Sequence, residues 1–179
     1  MTRILVLGLL DVQPMSGYDI QQMLRLSDAE RWGGVLIGSI YHALKKMDQE
    51  GLVTIDSIEQ TGNRQKAIYR ITATGKTHLA ELVRDSLTIA SVQYPSSLYS
   101  GLSFIEKVSR EDALAALNKQ LVALEKEYQA LENGLRLKDI AMQHTIPPMT
   151  TLIFDNMFAL VNQQRILIKN AITLLQAND

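Results

Sequence analysis

The stretch GSIYHALKKMDQEGL, from Gly38 to Leu52, decides how the first half of the chain is interpreted. Four apolar residues recur in it at helical spacing: Ile40, Ala43, Leu44 and Met47. This spacing predicts a helix with one face in a core, capped by Ser39 and ended by Gly51 in the position after the last turn. The opposite face is polar, and the question is whether it meets water or a partner.

Two further helices are predicted before this stretch. The residues from Met1 to about Asp11 are almost all apolar, and Pro14 stops that helix. Ser16, with Asp19 three residues later, has the pattern of a capping box for a second helix that runs to about Leu26. The glycine-rich stretch WGGVLIG then separates this helix from the one that Ser39 opens.

A β-hairpin is predicted after Gly51. LVTIDSI and AIYRIT are short β-branched or aromatic runs, separated by EQTGNRQK, which suits a turn. The arm from Glu59 to Ala80 contains four cationic side chains and one acid, so it is locally basic, and Thr74 is expected to cap the helix that follows. Three helices, a hairpin and another helix are the order of a winged helix-turn-helix module.

The second half of the chain has a different pattern. SVQYPSSLYSGLSF is rich in serine and is typical of a linker. After Ser109 a leucine stripe repeats by three and four residues, Pro147 and Pro148 interrupt it, and it resumes to the end, which predicts two long antiparallel helices. The expected fold is mainly α with a small β-hairpin: a winged helix-turn-helix domain over 1–88, a linker over 89–108 and a helical domain over 109–179.

Composition excludes several classes of function. The net charge is -1, 46% of the residues are hydrophobic and there is no cysteine, so we expect a globular protein without disulfides or thiolate metal sites. His42, His78 and His144 are too scattered for a ligand set, and no metal or cofactor is expected. With neither a membrane-length apolar run nor a signal peptide pattern, a cytoplasmic protein is expected. No catalytic motif is present, so an enzyme is not expected.

The polar face of the third helix has two interpretations. A pair of lysines on a helix usually marks a solvated surface. Here the polar residues of the first turn are followed by a basic hairpin at the distance of a wing, and this context favours a recognition helix that enters the DNA major groove. The candidate contacts are Ser39, Tyr41, His42, Lys45 and Lys46. Their hydroxyls, imidazole and ammonium groups can bond to base edges or phosphates.

The start of the second helix is a further candidate contact. Ser16, Gly17 and Tyr18 open this helix, whose amides could hold a phosphate while Tyr18 adds a hydroxyl. The alternative is a capped helix with a core tyrosine, and the sequence leaves both open.

Four ordered stretches, ILVLGLL, PMSGYDI, GSIYHALKKMDQEGLV and IYRITATGK, resemble the PadR family of bacterial transcriptional regulators. The helical tail is similar to the C-terminal domain of the longer members. The resemblance implies a homodimeric repressor that reads a palindromic operator, with Ser39, Tyr41 and Lys45 on DNA and Arg64 and Lys66 in the wing. There are two departures from the family pattern: His42 stands where the family commonly has a proline, and the wing has Gly62, Asn63 and Arg64 where the family usually has glycine-arginine-proline.

The resemblance also implies an effector and a dimer interface. A small aromatic effector could lie between the winged module and the tail, against Trp32, Tyr94, Tyr99, Phe104 and Met142, although Trp32 alone is more typical of core filling. A wide leucine face exposes more apolar surface than a monomer leaves in water, which also favours a dimer. The candidate interface residues are Leu114, Leu117, Leu121, Leu124, Tyr128, Leu160, Leu167 and Leu174.

The sequence therefore predicts a PadR-like transcriptional regulator, a dimeric repressor of double-stranded operator DNA that a small effector, such as a phenolic or aromatic molecule, releases. The alternative is a winged-helix protein-interaction module that does not bind DNA, because the same fold serves both functions.

Overall fold

The computed structural model describes residues 1–61 and 64–177, with the side chains of all of these except Thr61 and Arg64. The chain divides into two compact units, Met1–Val92 and Gln93–Asp179.

The first unit has the predicted order of helices followed by a hairpin and a further helix. Its elements are α1 (Thr2–Val12), β1 (Met15–Ser16), α2 (Gly17–Leu26), α3 (Ala29–Gly33), a 3-10 turn (Ile37–Ser39), α4 (Ile40–Gln49), β2 (Val53–Thr61), β3 (Arg64–Ile71) and α5 (Ala73–Thr88). The predicted winged helix-turn-helix arrangement is confirmed. Two short elements, β1 and α3, were not predicted, because two and five residues are too short to show a period.

The sheet has three antiparallel strands in the order β1-β3-β2. Met15 pairs with Tyr69 and Ser16 with Ile68, so the residues just before α2 form the third strand. The predicted hairpin is confirmed in β2 and β3, where Val53 pairs with Ile71. This pairing ties the start of α2 to the wing.

The core of the first unit lies between α1, α2, α4 and the base of the sheet. Helical spacing places its members on the inner faces, and the burial of such side chains is worth about 1.5–3 kcal/mol each. The buried apolar residues of this core are Val6, Leu7, Leu10, Met15, Ile20, Leu24, Ala29, Val35, Ile37, Ile40, Leu44, Met47, Leu52 and Val53. They include three of the four apolar residues predicted for the third helix.

The wing meets α5 at a hydrogen-bonded junction. The cap of α5 is Thr72 and not Thr74, which lies inside the helix. The Thr72 hydroxyl accepts a hydrogen bond from Gly75 N at 3.0 Å and donates to the Gly51 carbonyl at 2.7 Å. The prediction was wrong because the strand ends one residue before Thr72, which leaves that residue extended and free to cap.

The second unit is helical. The segment predicted as a linker contains α6 (Ser96–Ser103) and a 3-10 turn (Ile105–Lys107), and the long helices are α7 (Arg110–Ala141) and α8 (Pro148–Ala177). Arg110 donates to the carbonyl of Gln176 at 3.0 Å, and Tyr128 packs on Phe158 with ring centroids 5.0 Å apart. These contacts confirm the predicted antiparallel pair. Within the described ranges, no helix is long and apolar enough to cross a bilayer.

Candidate nucleic-acid interface

The exposed face of α4 carries the polar residues that the sequence predicted for it. Ile40, Leu44 and Met47 are buried in the core. A helix that turns 100° per residue must then direct the intervening side chains outward. Four of the predicted contacts lie on this exposed face: Tyr41, His42, Lys45 and Lys46.

Tyr41 packs against the start of α2. A Cβ atom added to Gly17 would lie 2.6 Å from Tyr41 Cε1, which is closer than such atoms approach. The tyrosine ring nevertheless remains 54% exposed. The absent side chain at Gly17 therefore lets the first turns of α2 and α4 form one surface, a role that the sequence analysis did not assign to Gly17.

Tyr18, the residue after Gly17 in α2, is exposed, whereas Ser16 is not. Tyr18 is 55% exposed, so the alternative of a core tyrosine is wrong. Ser16 is buried, and its hydroxyl accepts from Asp19 N at 3.2 Å and donates to Asp19 Oδ2 at 2.8 Å. The predicted capping box is confirmed, and because the box engages the Ser16 hydroxyl, this side chain does not belong to the exposed interface.

Ser39 also differs from its prediction. It is half-buried at the first position before α4, but its hydroxyl donates to the Leu36 carbonyl at 2.6 Å instead of capping the helix. The physical reason is the 3-10 turn over Ile37–Ser39, which gives Ser39 helical dihedrals where a capping residue is extended. Gln21 holds this turn through a hydrogen bond from Nε2 to the Ile37 carbonyl at 2.9 Å, so α2 positions the start of α4.

The wing lysine is paired with an acid. Lys66 Nζ lies 3.0 Å from Asp19 Oδ2, which joins β3 to α2. The hydrogen bond from Lys66 and that from Ser16 hold the pKa of the Asp19 carboxyl below its ordinary value, and the same contact with Asp19 raises the pKa of Lys66. Glu59 lies opposite Lys66 across the hairpin.

Other cations of the basic arm are also paired with acids. Arg70 Nε lies 3.4 Å from Asp56 Oδ1, and Lys76 Nζ lies 3.0 Å from Asp11 Oδ1. Arg64, the other predicted wing contact, is described only in its backbone, and Gly62 and Asn63 lie outside the described residues. The local charge count overestimated the free positive charge, since it could not include acids from α1 and β2.

Of the predicted effector residues, Trp32 lies in the first unit and the other four lie in the second. Trp32 is 44% exposed and donates from Nε1 to the Ser27 carbonyl at 2.8 Å, so its interpretation as core filling is wrong. The structure brings Tyr94 and Tyr99 together, with ring centroids 6.2 Å apart. Phe104 is exposed, and Met142 is half-buried at the end of α7.

The predicted dimer stripe divides into two sets. Most of its residues help to pack α7 on α8: Leu117 is buried, and Leu114, Leu121, Leu124, Tyr128 and Leu167 are half-buried. Leu160 and Leu174 are exposed by 57% and 68%. They share α8 with four further exposed apolar side chains: Met149, Leu152, Ile153 and Ile166. These six residues are called the α8 apolar set below.

Among the described residues, no three histidine, aspartate or glutamate side chains are placed to hold a metal ion. The exposed faces of α2 and α4 include hydroxyl, imidazole and ammonium groups: Tyr18, Tyr41, His42, Lys45 and Lys46.

Comparison with known proteins agrees with this arrangement. Residues 6–81 match the model of the transcriptional regulator PadR-like family. The negative transcriptional regulator PadR of Bacillus subtilis (strain 168) is 31% identical over 117 residues, which are 65% of this chain and 63% of that protein. The match thus spans less than two thirds of that relative. Residues 6–81 therefore form a domain of the transcriptional regulator PadR-like family.

Two solved PadR structures from Bacillus subtilis share the fold of this PadR-like chain. The complex of PadR with operator DNA has a TM-score of 0.75 at 23% identity and covers 97% of this chain and 98% of its own. The complex of PadR with p-coumaric acid has a TM-score of 0.73 at 19% identity, with 98% and 96% covered. At these identities the likeness establishes the fold, which extends over both units.

Proposed function

We propose that this PadR-like regulator binds double-stranded operator DNA through the exposed first turns of α2 and α4. The observation that carries the proposal is the packing of Tyr41 against Gly17, which joins the start of α2 to α4. The exposed side chains on these two helices are Tyr18, Tyr41, His42, Lys45 and Lys46. Hydroxyl and imidazole groups there can read base edges, while the two lysines contact phosphates. The half-buried Ser39 and the wing residues Arg64 and Lys66 complete the proposed contact set.

The regulator acts as a homodimeric repressor in this proposal. The Bacillus subtilis relative is named a negative regulator, and one solved neighbour holds operator DNA. The α8 apolar set supports self-association, because a soluble monomer seldom leaves so many large apolar side chains on one helix in water. Two copies related by a twofold axis would read the half-sites of a palindromic operator.

We propose a separate role for each of three consecutive segments of the chain. Residues 1–88 bind DNA, 89–108 connect, and 109–179 supply dimerisation and effector response in the cytoplasm. For the effector we propose a small aromatic or phenolic molecule, as suggested by the neighbour solved with p-coumaric acid. The contacting rings of Tyr94 and Tyr99 are the candidate aromatic surface for such a molecule.

The first experiment measures binding to the DNA upstream of the protein's own gene, at several salt concentrations, against unrelated DNA of equal length. We expect two chains per site, a preference for the upstream DNA and a steep loss of affinity with salt, because cations that contact phosphates release counterions. Absence of binding to any DNA at low salt would favour the alternative, a winged-helix protein-interaction module.

Substitutions at α4 assign the contacts. Lys45→Ala removes one phosphate contact from each chain, so the slope of log affinity against log salt should fall by about 0.9 for each contact, for specific and unrelated DNA alike. Lys119→Ala removes an exposed lysine of α7 and is the matched control. His42→Ala should instead change the preference among operator variants, by about 1–3 kcal/mol at the base that it reads. An unchanged slope in Lys45→Ala would remove α4 from the interface.

The effector proposal is tested on the same complex. Addition of p-coumaric acid should release the protein from its operator, and Tyr99→Ala should reduce that response without a change in operator affinity. Release that is equal in the wild type and the variant would remove the tyrosine pair from the effector site.

A further inference from the structure

A single carboxylate oxygen joins the wing to the second helix. Asp19 Oδ2 lies 3.0 Å from Lys66 Nζ and 2.8 Å from the Ser16 hydroxyl. Ser16 is itself hydrogen-bonded into the sheet, opposite Ile68 on the strand that carries Lys66. The lysine therefore lies beside α2 because both its strand and its side chain are tied to that helix.

The surroundings of Lys66 are acidic as well as close to the proposed DNA surface. Glu59 lies directly across the hairpin, and residues opposite each other in antiparallel strands project to the same face. Tyr18, which follows Gly17 in the first turn of α2, is exposed on the interface described above. The wing lysine thus has two carboxylates within reach at the edge of a surface proposed to meet phosphates.

A lysine that is already neutralised contributes little to phosphate binding. A free ammonium group that binds a phosphate raises the affinity for DNA, because it releases counterions condensed on the DNA. A lysine held by a carboxylate can do so only if the carboxylate is displaced, since otherwise the negative charge of the carboxylate also lies near the phosphate. The side chains of Lys66 and Asp19 are 35% and 42% exposed. An ion pair this exposed is screened by water and salt and is weak, so a phosphate can compete for the lysine.

We propose that Asp19 competes with DNA phosphates for Lys66 and thereby limits the affinity of this regulator for DNA. The inference rests on the proposed DNA-binding function and adds an acidic residue that acts through the lysine. Asp19 is a positioning residue here: it holds Lys66 against α2 in the free protein, and DNA must displace it.

The decisive variant is Asp19→Asn, which removes the charge but keeps an amide oxygen that can accept from Ser16. Its affinity for operator and unrelated DNA should rise together, and the salt slope should steepen by about 0.9 for each wing that gains a phosphate. That slope corresponds to about an eightfold gain in affinity for each wing between 1 M and 0.1 M salt. A loss of helix capping alone would not steepen the slope.

Two controls separate this effect from its alternatives. Ser16→Ala removes the hydroxyl of the capping box and leaves the ion pair, so it should not steepen the slope. Asp85→Asn removes one exposed carboxylate of α5 and gives the same change in net charge without touching the wing. An equal gain from either control would overturn the proposal.

The double variant tests whether Lys66 transmits the effect. Lys66→Met alone should weaken binding, and Asp19→Asn added to it should give a much smaller gain than in the wild type. An undiminished gain would show that Asp19 acts only by repelling DNA, which would overturn the proposal. If the wild type binds DNA and Asp19→Asn leaves affinity and slope unchanged, only this inference fails. If no variant binds DNA at low salt, the proposed function fails with it.

Discussion

The two units of this chain differ in how completely they bury their own apolar residues. The first unit buries a connected core drawn from α1, α2, α4 and the sheet. Among the described residues of the second unit, only Ala113, Leu117, Leu131 and Ile168 are buried. The long helices α7 and α8 pack along a single line of contact, so few of their residues are buried. In the first unit, several elements surround the apolar residues. The first unit therefore has its own core, and the second leaves the α8 apolar set without cover within its own chain segment.

The largest expected effect comes from crowding the junction that closes the first unit. A Cβ atom at Gly75 would lie 2.0 Å from the Leu52 carbonyl oxygen, which belongs to the backbone and cannot rotate away. Gly75→Ala should therefore lower the free energy of unfolding of the first unit by about 3 kcal/mol or more. Trp32, the only tryptophan, reports unfolding of this unit by fluorescence.

The matched control is Gly8→Ala, in α1. An added Cβ there has no neighbour within 4 Å, and alanine favours the helix by about 1 kcal/mol, so this variant should be as stable as the wild type or more so. Equal stability of Gly75→Ala and the wild type would contradict the account of the junction.

The second largest effect is expected from substitutions in the α8 apolar set of the second unit. Leu160→Lys and Leu174→Lys place charges in the α8 apolar set, so together they should shift the proposed dimer toward monomer in sedimentation and weaken the proposed operator binding with it. Gln163→Lys adds one lysine at an exposed polar position of α8, is the control for each single substitution, and should leave the proposed dimer intact. A double variant that remains dimeric would show that another surface holds the two chains together.

A smaller effect is expected on operator affinity from a substitution that leaves the fold of the first unit intact. Gly17→Ala should displace the Tyr41 ring, because its added Cβ would lie 2.6 Å from the aromatic carbon. The ring is half exposed and can move, so the fold should persist while operator affinity falls by about 1–2 kcal/mol, comparable to the loss of one base contact. Tyr41→Ala should cause a similar loss. Wild-type affinity in Gly17→Ala would show that the position of the ring does not matter.

The spacing of apolar residues and the positions of helix-capping residues made much of this fold predictable from the sequence. Ser16, Asp19 and Gly51 act within one or two turns of helix, so their roles could be predicted from spacing alone, and Gly51 has the left-handed φ of 71° expected after a helix end. The two long helices were predictable for the same reason, since their repeat extends over many turns.

Contacts between distant segments were not predictable in this way. Gly75 is required by the carbonyl of Leu52, and Lys66 is neutralised by Asp19, two residues 47 positions apart. A local count of charge assigns Lys66 to a basic arm, because only the folded chain brings the acid of α2 to the wing. The residue types of the candidate interface could therefore be predicted from the sequence, but the ion pair that neutralises Lys66 could not.

The smallest expected effect is a pH dependence confined to the first unit. Arg3 of α1 donates to both carboxylate oxygens of Glu50, just after α4, at 2.5 and 2.6 Å, and these hydrogen bonds lower the pKa of Glu50 below its ordinary 4.5. A lowered pKa in the folded state contributes stability above pH 4.5 that is lost as the pH falls through the folded value. The wild type should therefore exceed Glu50→Gln in stability at neutral pH, and the difference should vanish in acid, as followed by Trp32 fluorescence in urea. Glu30→Gln, which removes an exposed carboxylate of α3, is the control for the loss of one negative charge at neutral pH. A difference that persisted below the folded pKa would mean that the glutamine disturbs packing, since the charge would by then be absent from both proteins.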